Sequence, residues 1–279
     1  MPLRAPGAKG MGMQREIIAA LGVKPVIDVE EEIRRRVDFL KEYVKKAGAS
    51  GLLIAISGGV DSATAAALCK RATDELTAET GREYLTLGVF QPYHRQEDIE
   101  DSYLVAKALG LKYTVETQIG EAVDEIAREV ERAFGAIGRP RQLSKEAKGN
   151  TKARARMVVQ YALAFDLNLL VVGTDHASEA ITGFYTKWGD GAVDLTPLST
   201  LNKRQVRQLA RALGVPEKII NKTPTAGLWE GQTDEGELGI SYEDNSDYLE
   251  GKAIDPRIAA ELERRYLATE HKRKPIPGI

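Results

Sequence analysis

The stretch Leu52-Leu53-Ile54-Ala55-Ile56-Ser57-Gly58-Gly59-Val60-Asp61-Ser62 decides the fold. It joins a continuously apolar run to a double glycine and a short polar segment. Continuous rather than alternating apolarity is typical of a strand buried on both faces. The glycines allow a tight turn, and the N terminus of a following helix offers free N–H groups and a positive dipole to an anion. The stretch therefore predicts a buried strand, a phosphate-binding turn and a helix.

Asp61 distinguishes this turn from the lysine-bearing P-loop. A P-loop lysine reaches the β- and γ-phosphates, whereas here a carboxylate stands where phosphates are expected. A carboxylate and a phosphate repel each other unless a cation lies between them. Asp61 therefore implies Mg²⁺, a hard ion that binds carboxylate and phosphate oxygens together. The alternative interpretation is a plain glycine turn with a capping serine.

Strands and helices alternate along the chain. Short apolar runs predict strands, and longer segments with apolar residues at helical spacing predict helices. The predicted strands span residues 52–57, 84–90, 112–117 and 169–173. The predicted helices span residues 28–47, 61–76, 97–109, 121–134, 145–165, 203–213 and 256–270. This alternation predicts an α/β fold with a doubly wound parallel sheet and helices on both of its faces.

Local signals mark the ends of several segments. Asp28 with Glu31 forms a capping pattern for the first long helix, and Gly48 is suited to end it. Residues 223–242 are rich in Gly, Asp, Glu and Thr and predict a long mobile loop. Residues 1–12 are expected to be a disordered extension, and residues 13–279 to form a single domain.

The composition argues against several classes of protein. The 279 residues carry 39 Lys and Arg against 41 Asp and Glu, a net charge of −2, whereas nucleic-acid binders driven by basicity carry a positive excess. No apolar run reaches the roughly 18–20 residues of a membrane span. Cys69 is the single cysteine, which excludes an internal disulfide and a cysteine-based zinc site. We expect a cytoplasmic protein with no nucleic-acid or membrane partner.

A second informative segment follows the strand at 169–173. It reads Gly-Thr-Asp-His-Ala-Ser-Glu-Ala-Ile-Thr-Gly-Phe over residues 173–184. Ligand sites of open parallel sheets form at the carboxyl ends of strands, so Asp61 and Glu179 can converge on one metal ion. His176 and Glu179 stand three residues apart, and a polar pair on a solvated helix face is the alternative interpretation of that spacing. A zinc site is disfavoured because the chain has three histidines and no HxxxH pair.

These motifs resemble those of a known family. The Ser-Gly-Gly-Val-Asp-Ser motif at 57–62 resembles the pyrophosphate loop of the N-type ATP pyrophosphatases. The string Gly-Thr-Asp-His-Ala-Ser-Glu-Ala-Ile-Thr-Gly-Phe-Tyr-Thr-Lys-Trp-Gly-Asp-Gly-Ala-Val-Asp at 173–194 resembles the signature of the NAD synthetases. The likeness extends from about residue 13 to residue 275, with landmarks at 30–35, 152–157, 197–205, 224–228 and 269–273. It implies the adenine nucleotide alpha hydrolase fold, a Rossmann-like sheet of about five strands with helical segments at both termini.

The resemblance also implies roles for individual residues. The positions that match ATP contacts are Ile56, Ser57, Gly58, Gly59, Val60, Asp61, Ser62, Gln96, Thr174, Lys203 and Thr225. The positions that match deamido-NAD contacts are Arg154, Phe184, Lys187, Asp194, His271 and Lys272. Asp61 and Glu179 match the Mg²⁺ ligands, and Asp190, which lies near the incoming ammonia, joins Lys187 and Lys203 as an expected catalytic residue.

The family's reaction is the ATP-dependent amidation of deamido-NAD to NAD, through an adenylated intermediate, with release of AMP and pyrophosphate. We expect free ammonia as the nitrogen source, because the amidase domain of glutamine-dependent relatives needs a catalytic cysteine and more chain. The family is homodimeric, and the helix at 28–47 and the C-terminal helix are the expected contact surfaces.

Alternative interpretations of the same residues stay open at this point. Lys203 begins a segment that also carries Arg204 and Arg207, so it also fits a solvated helix face, and residues 271–274 also fit a C-terminal charge run. Another adenylating amidotransferase or a tRNA-thiolating enzyme shares the glycine loop, although thiolation generally needs paired cysteines. A non-catalytic adenine-nucleotide sensor is a third possibility, against which the two candidate metal ligands Asp61 and Glu179 argue.

Overall fold

The structure, a computed structural model, describes residues 7–225 and 233–278. Four parallel strands form one sheet in the order β3-β2-β1-β4. They are β1 (Gly51–Ala55), β2 (Leu85–Phe90), β3 (Tyr113–Glu116) and β4 (Leu169–Val172). Leu195 adds one isolated parallel bridge to Val172, in the place of the fifth strand that the family resemblance implies. Each predicted strand is confirmed within two residues at either end.

Helices surround the sheet and extend beyond it. Those of the first half are α1 (Gly7–Leu21), α2 (Val29–Ala47), α3 (Val60–Thr80), α4 (Ile99–Leu109), α5 (Gly120–Ala136) and α6 (Lys145–Leu167). Those of the second half are α7 (Ala177–Thr182), α8 (Lys203–Ala212), α9 (Glu217–Ile220), α10 (Asp234–Leu238), α11 (Tyr242–Leu249) and α12 (Pro256–Ala268), followed by a 3₁₀ turn at Glu270–Lys272. Among the described residues, no helix combines the length and the apolarity that a membrane crossing requires.

The apolar run of β1 is buried on both faces, as its sequence predicts. Leu52 and Ile54 belong to the apolar cluster that also contains residues of α2, α3 and α8. Leu53 belongs to a different cluster, with residues of β2, β4 and α6. Successive side chains of a strand point to opposite faces. The two clusters therefore show that helices cover both faces of the sheet, which confirms the doubly wound α/β fold.

A third apolar cluster holds the short helix α7 in place. Ala177 and Ile181 of α7 pack with Ile17 of α1, Leu249 of α11 and Leu262 of α12, all nearly or fully buried. The helical ends of the chain thus converge on the segment that follows β4. This packing positions Glu179, which α7 carries at the carboxyl edge of the sheet.

The predicted N cap at Asp28 and the terminal glycine of α2 are confirmed, whereas no bond from the Glu31 side chain completes the capping pattern among the described contacts. Asp28 accepts a hydrogen bond from the Glu31 N–H at 2.9 Å, and Gly48 ends α2 with φ +64°. At α8, the Asn202 and Gln205 side chains bond each other's main-chain N–H groups at 2.9 and 3.1 Å.

Two terminal or irregular segments differ from expectation. The loop prediction for 223–242 is wrong for Asp234–Leu238, which form α10, and Tyr242 opens α11; residues 226–232 lie outside the described residues. Helix α1 begins at Gly7, inside the predicted 1–12 extension, of which residues 1–6 also lie outside the described part.

Candidate active site

A cavity of about 280 Å³ opens at the carboxyl ends of β1 and β4. Parallel sheets form ligand sites at this edge because helix N termini and strand ends meet there. The sequence-predicted residues that line it are Ile56, Ser57, Gly59, Val60, Asp61, Ser62, Gln96, Thr174, Glu179, Phe184, Asp190, Lys203 and Thr225. Gly58, Arg154, Lys187, Asp194, His271 and Lys272 do not line it. The structure therefore brings most expected ATP and metal residues into one cavity.

The glycine loop forms a compact turn at the start of α3. The Ser57 N–H donates to Ser62 Oγ at 3.2 Å, and Ser62 Oγ donates to the Gly59 carbonyl at 3.1 Å. Gly58 has φ +78°, and a Cβ there would lie 2.9 Å from Asp101 Cβ. Only glycine adopts this conformation without strain and also fits against α4. The turn leaves the N terminus of α3 facing the cavity, as an anion site requires.

Asp61 lies at the centre of a cluster of charged groups. Lys203 Nζ donates to Asp61 Oδ2 at 2.6 Å, while His176 Nε2 lies 3.4 Å from Asp61 Oδ1. The same ring nitrogen lies 3.8 Å from Glu179 Oε1. Asp61, His176 and Glu179 thus offer three ligand atoms that all lie within 4.8 Å of one another. This arrangement unites residues from α3, the segment after β4, and α8.

Burial shapes the protonation of these acids. Burial alone would raise the pKa of Asp61, but the Lys203 ammonium and the His176 ring outweigh it and hold that pKa below its usual range. Glu179 lacks such a close cation, so desolvation raises its pKa to about 8. The environment therefore gives two neighbouring carboxyl groups very different pKa values: Asp61 is ionised, and Glu179 keeps its proton near neutrality.

The solvated-face interpretations of Lys203 and His176 are wrong. The Lys203 residue is 2% exposed and the His176 residue is fully buried. The main-chain N–H of Lys203 donates to Ser178 Oγ at 3.1 Å, and its ammonium lies 4.8 Å from the centre of the Tyr242 ring. The first turn of α8 therefore directs the buried Lys203 ammonium at Asp61. The basic residues that follow Lys203 in the sequence gave no sign of this burial.

Phe184 and Asp190 extend the cavity beyond the metal-binding residues. Asp190 Oδ1 accepts a hydrogen bond from the Thr186 N–H at 2.9 Å. Although Asp190 is open to the solvent in the cavity, the surrounding protein desolvates its carboxylate and raises its pKa. Desolvation also raises the pKa of Asp175, and repulsion from Asp190 and Asp61 adds to this effect. This end of the cavity favours a bound cation or a proton.

The expected deamido-NAD residues form a second group beside the cavity. Arg154 donates to the Lys187 carbonyl at 3.1 Å, and Lys187 Nζ donates to the His271 carbonyl at 2.8 Å. Lys272 Nζ donates to the carbonyls of Gly183 and Tyr185 at 2.7 and 2.6 Å. The structure therefore joins α6, the 183–190 segment and the C-terminal turn, so residues 271–274 are more than an isolated charge run.

Asp194 has a structural role in this arrangement. Its Oδ2 accepts from the Val171 N–H at 2.8 Å, and its Oδ1 accepts from the Tyr161 hydroxyl at 3.1 Å. These bonds fix the chain beside β4, next to the bridge at Leu195.

Several cavity residues were missed by the sequence interpretation. Arg156 and Gln91 exchange hydrogen bonds through Arg156 Nε to the Gln91 carbonyl and Gln91 Nε2 to the Arg156 carbonyl, at 3.0 and 3.2 Å. Lys222 pairs with Asp98 at 2.6 Å, and Asp98 accepts from Gln96 Nε2 at 2.9 Å. The carboxyl end of β2 was the available signal, since Gln91 follows that strand directly.

Tyr242 and Asp234 were also missed, because both fall in the segment predicted as a loop. The Tyr242 hydroxyl donates to Asp234 Oδ2 at 2.9 Å, and both residues are buried. Burial raises the pKa of Tyr242 above its usual range, so the phenol stays neutral. The pair joins α10 to α11 over Lys203.

Comparison with known proteins gives consistent results. The family model described as NAD synthase matches residues 32–276. The chain is 50% identical to the NH(3)-dependent NAD(+) synthetase of Exiguobacterium sibiricum, over 93% of this chain and 95% of that protein. It is 47% identical to the protein of the same description from Leifsonia xyli, over 94% and 93% of the two chains.

Solved structures resemble the fold over the same length. The NAD+ synthetase of Burkholderia pseudomallei is 37% identical, with a TM-score of 0.80 and coverage of 95% of this chain and 97% of that one. The NMN synthetase of Francisella tularensis is 32% identical, with a TM-score of 0.79 and coverage of 91% and 99%.

Proposed function

The chain belongs to the NAD synthase family, and we propose that its cavity amidates deamido-NAD to NAD with ATP and free ammonia. The enzyme is a ligase that forms a C–N bond. The observation that carries the proposal is the meeting of the Ser57–Ser62 loop residues with Asp61, Glu179 and Lys203 in one cavity. The curated relatives named as ammonia-dependent synthetases support the choice of nitrogen source.

In this proposal the glycine loop and the N terminus of α3 bind the ATP phosphates. Ser57, Gly59 and Ser62 line the cavity, and the loop has no lysine of its own. Lys203 supplies the positive charge from α8, because its ammonium lies 2.6 Å from Asp61 Oδ2 beside the loop. A fixed cation at this point stabilises the charge that develops as pyrophosphate leaves. Gln96, Thr174 and Thr225 line the same cavity and complete the proposed nucleotide contacts.

Asp61 and Glu179 fit the Mg²⁺ that the family implies. Asp61 Oδ1 is buried and has no hydrogen-bond partner among the described residues, while Lys203 is bound to the other oxygen. A hard divalent cation accepts such an oxygen together with phosphate oxygens. When bound, Mg²⁺ lowers the repulsion between ATP and an attacking carboxylate.

The first proposed step joins two anions. A nicotinate carboxylate oxygen of deamido-NAD attacks the α-phosphorus of ATP, and pyrophosphate leaves. Ammonia then attacks the activated carbonyl carbon, and AMP leaves with NAD formed. Asp190 lies at the cavity wall and has a raised pKa. It is therefore placed to hold an ammonium ion or to accept a proton from that ion. Phe184 offers a ring for the pyridine.

We place the remainder of deamido-NAD on the group formed by Arg154, Lys187, His271 and Lys272 beside the cavity. Lys187 reaches the His271 carbonyl, and Arg154 reaches the Lys187 carbonyl, so these side chains share one surface. Helix α6, which carries Arg154, is partly or fully exposed along its length except at Gly149, Ala153 and Ala164.

A second subunit is the proposed cover of this surface. Val158 and Phe165 of α6 are 60% and 85% exposed, and Ile126 of α5 is 46% exposed. Apolar side chains exposed on adjacent helices mark protein interfaces. The contact surfaces expected at α2 and the C-terminal helix expose Phe39, Tyr43 and Leu267 at 38%, 42% and 55%, which is less than Val158 and Phe165 of α6. We therefore place the homodimer interface on α5 and α6. The cytoplasmic location stays a prediction.

The test measures products with two acceptors. Purified protein is mixed with ATP, Mg²⁺ and ammonium, and with either deamido-NAD or nicotinate mononucleotide. The proposal predicts NAD, AMP and pyrophosphate in equal amounts with deamido-NAD. Turnover of the mononucleotide alone would assign the chain to the activity named for the Francisella relative. ATP binding without either product would favour a nucleotide sensor.

A further inference from the structure

The imidazole of His176 is buried among groups that form no hydrogen bond with its ring nitrogens. The residue is fully buried, and neither ring nitrogen has a hydrogen-bond partner among the described residues. The Glu179 N–H, three residues on, donates to the main-chain carbonyl of His176 at 3.0 Å. Buried polar atoms without a partner are rare, and they commonly indicate the position of a bound water or ion.

The atoms that face Nε2 are carboxylate oxygens. Nε2 lies 3.4 Å from Asp61 Oδ1 and 3.8 Å from Glu179 Oε1. Asp61 Oδ1 also lacks a hydrogen-bond partner in the described part of the chain, because Lys203 binds Oδ2 instead. Two unpaired ligand atoms, His176 Nε2 and Asp61 Oδ1, therefore lie within 4.8 Å of each other and of a Glu179 carboxylate oxygen.

The spacing of these atoms suits one metal ion. Ligands about 2.1 Å from a divalent ion lie about 3.0–3.4 Å apart in octahedral or tetrahedral geometry. The two distances from Nε2 are close to this range, whereas a direct hydrogen bond between these groups is normally shorter than about 3.2 Å. Asp61 and Glu179 both coordinate a metal ion as carboxylates, so a bound divalent cation meets two negative charges against the single positive charge of Lys203.

We propose that Nε2 of His176 is a third protein ligand of the divalent cation held by Asp61 and Glu179. This inference rests on the proposed function, which supplies the two carboxylate ligands. A mixed nitrogen and oxygen set favours first-row transition ions over Mg²⁺ when the cation binds alone, because imidazole is a softer ligand than water or carboxylate. The site therefore accepts Mn²⁺ and Co²⁺ as well as Mg²⁺, and binds them more tightly.

The experiment uses Mn²⁺ alone, without nucleotide. The full-length protein is titrated with Mn²⁺ and followed by electron paramagnetic resonance to count the tight sites. Electron spin echo envelope modulation is then recorded on protein loaded below one equivalent, with natural and with ¹⁵N-labelled histidine. We expect nitrogen modulation that changes to the ¹⁵N pattern on labelling, which identifies a histidine ligand in the unaltered protein.

Variants assign the nitrogen to one residue. His176→Gln is expected to lose the nitrogen modulation and to weaken Mn²⁺ binding by about tenfold or more, with a smaller change for Mg²⁺. His94→Gln is the matched control, because His94 is half exposed and its ring is bound to Asp124 instead. It is expected to keep the modulation and the affinity.

The outcomes separate the inference from the proposed function. The unaltered protein could bind Mn²⁺ tightly without histidine modulation, and Asp61→Asn could abolish that binding. This result would overturn the role of His176 and leave the carboxylate site intact. Absence of tight Mn²⁺ binding would overturn the inference as well. NAD formation with Mg²⁺ is measured separately and tests the proposed function whatever the result with Mn²⁺. If His176→Gln does not fold, label-sensitive modulation that both His94→Gln and His271→Gln retain assigns the ligand to the one remaining histidine, and its loss in either variant overturns the inference.

Discussion

The Lys203 ammonium lies between the Asp61 carboxylate and the proposed phosphate site. It is bonded to Asp61 at 2.6 Å, and it faces the loop that we propose binds phosphates. A buried lysine keeps its charge only while an acid compensates it. Asp61 therefore fixes the cation in place before ATP arrives, so its attraction for phosphate requires little rearrangement.

Replacing this ammonium tests its role directly. Lys203→Met keeps most of the side-chain volume and removes the charge. We expect the rate of NAD formation to fall by about 10²–10³-fold, the effect typical of losing one transition-state electrostatic contact. Arg211→Met is the control, since Arg211 lies on the same helix, is half exposed and pairs with Glu217. Equal rates for the two variants would contradict the assignment.

Gly58 provides a second test at the scale of a residue. Gly58→Ala adds a Cβ 2.9 Å from Asp101 Cβ at a backbone φ of +78°. Gly48→Ala is the matched control, because φ is +64° there and no atom lies within 4 Å of the added Cβ. The strain at positive φ is common to both variants, so the excess destabilisation of Gly58→Ala, of order 1–3 kcal/mol for an overpacked contact, measures the close approach to α4. Equal urea midpoints would contradict the close packing.

The sequence predicted individual site residues unevenly. Asp61 and Glu179 were predictable because each follows a buried strand at the edge where parallel strands bind ligands. His176 and Lys203 were not predictable as buried from their own surroundings, since the ring of Tyr242, on the later helix α11, packs beside both of them. Local charge patterns describe a helix face, whereas the depth of a side chain depends on what packs over it.

At the scale of elements, α2 and α3 are joined by charged side chains at their surface. Arg34 bonds both oxygens of Glu75 at 2.9 Å, and Lys41 bonds the same carboxylate at 2.9 Å. The Arg34 guanidinium lowers the pKa of Glu75 to about 2, against desolvation that would raise it. A carboxyl with a lowered pKa stabilises the folded state above its unfolded pKa, and this contribution is lost as the pH falls through the folded value.

This linkage predicts a pH-dependent stability. Glu75→Gln is expected to lower the free energy of unfolding at pH 7 by about 1 kcal/mol, since the pair is partly exposed. The difference between variant and parent is expected to shrink between the unfolded pKa of 4.5 and about 2. Glu125→Gln is the control, because its pair with Arg128 is exposed. Urea unfolding of the parent and both variants across this pH range measures the difference in unfolding free energy. A difference between Glu75→Gln and the parent that grows toward low pH would contradict the linkage.

The sequence predicted the bounds of those helices that carry capping residues at their ends. Helix α2 has a capping aspartate and a terminal glycine, and its bounds differ from the prediction by one residue. Helices α10 and α11 are only five and eight residues long. Such short helices depend on contacts such as Tyr242 with Asp234, which join residues that composition alone assigns to a loop.

At the scale of the molecule, α6 divides the proposed substrate site from solvent. Arg156 faces the cavity, whereas Arg154 reaches the surface group at Lys187. The exposed apolar residues of the same helix are the proposed dimer contact, so a second subunit would close the outer side of the deamido-NAD site.

A charge on this surface is expected to separate the subunits. Val158→Glu places a carboxylate on α6 at a position that is 60% exposed, so the folded subunit tolerates it while an apolar interface does not. Val26→Glu is the control, since Val26 is 83% exposed and lies outside α5 and α6. Light scattering coupled to size-exclusion chromatography is expected to show a dimer for the parent and the control, and a monomer for Val158→Glu. A Val158→Glu dimer would place the interface elsewhere.

In the proposed reaction this cavity transfers adenylate from ATP to the carboxylate of deamido-NAD. The direct measurement uses deamido-NAD with ¹⁸O in both carboxylate oxygens, together with ATP, Mg²⁺ and ammonium, and mass spectrometry of all products. We expect one ¹⁸O in the phosphate of AMP and one in the amide of NAD, because the attacking oxygen leaves with AMP. Label in inorganic phosphate with ADP as the product, or unlabelled AMP, would contradict it.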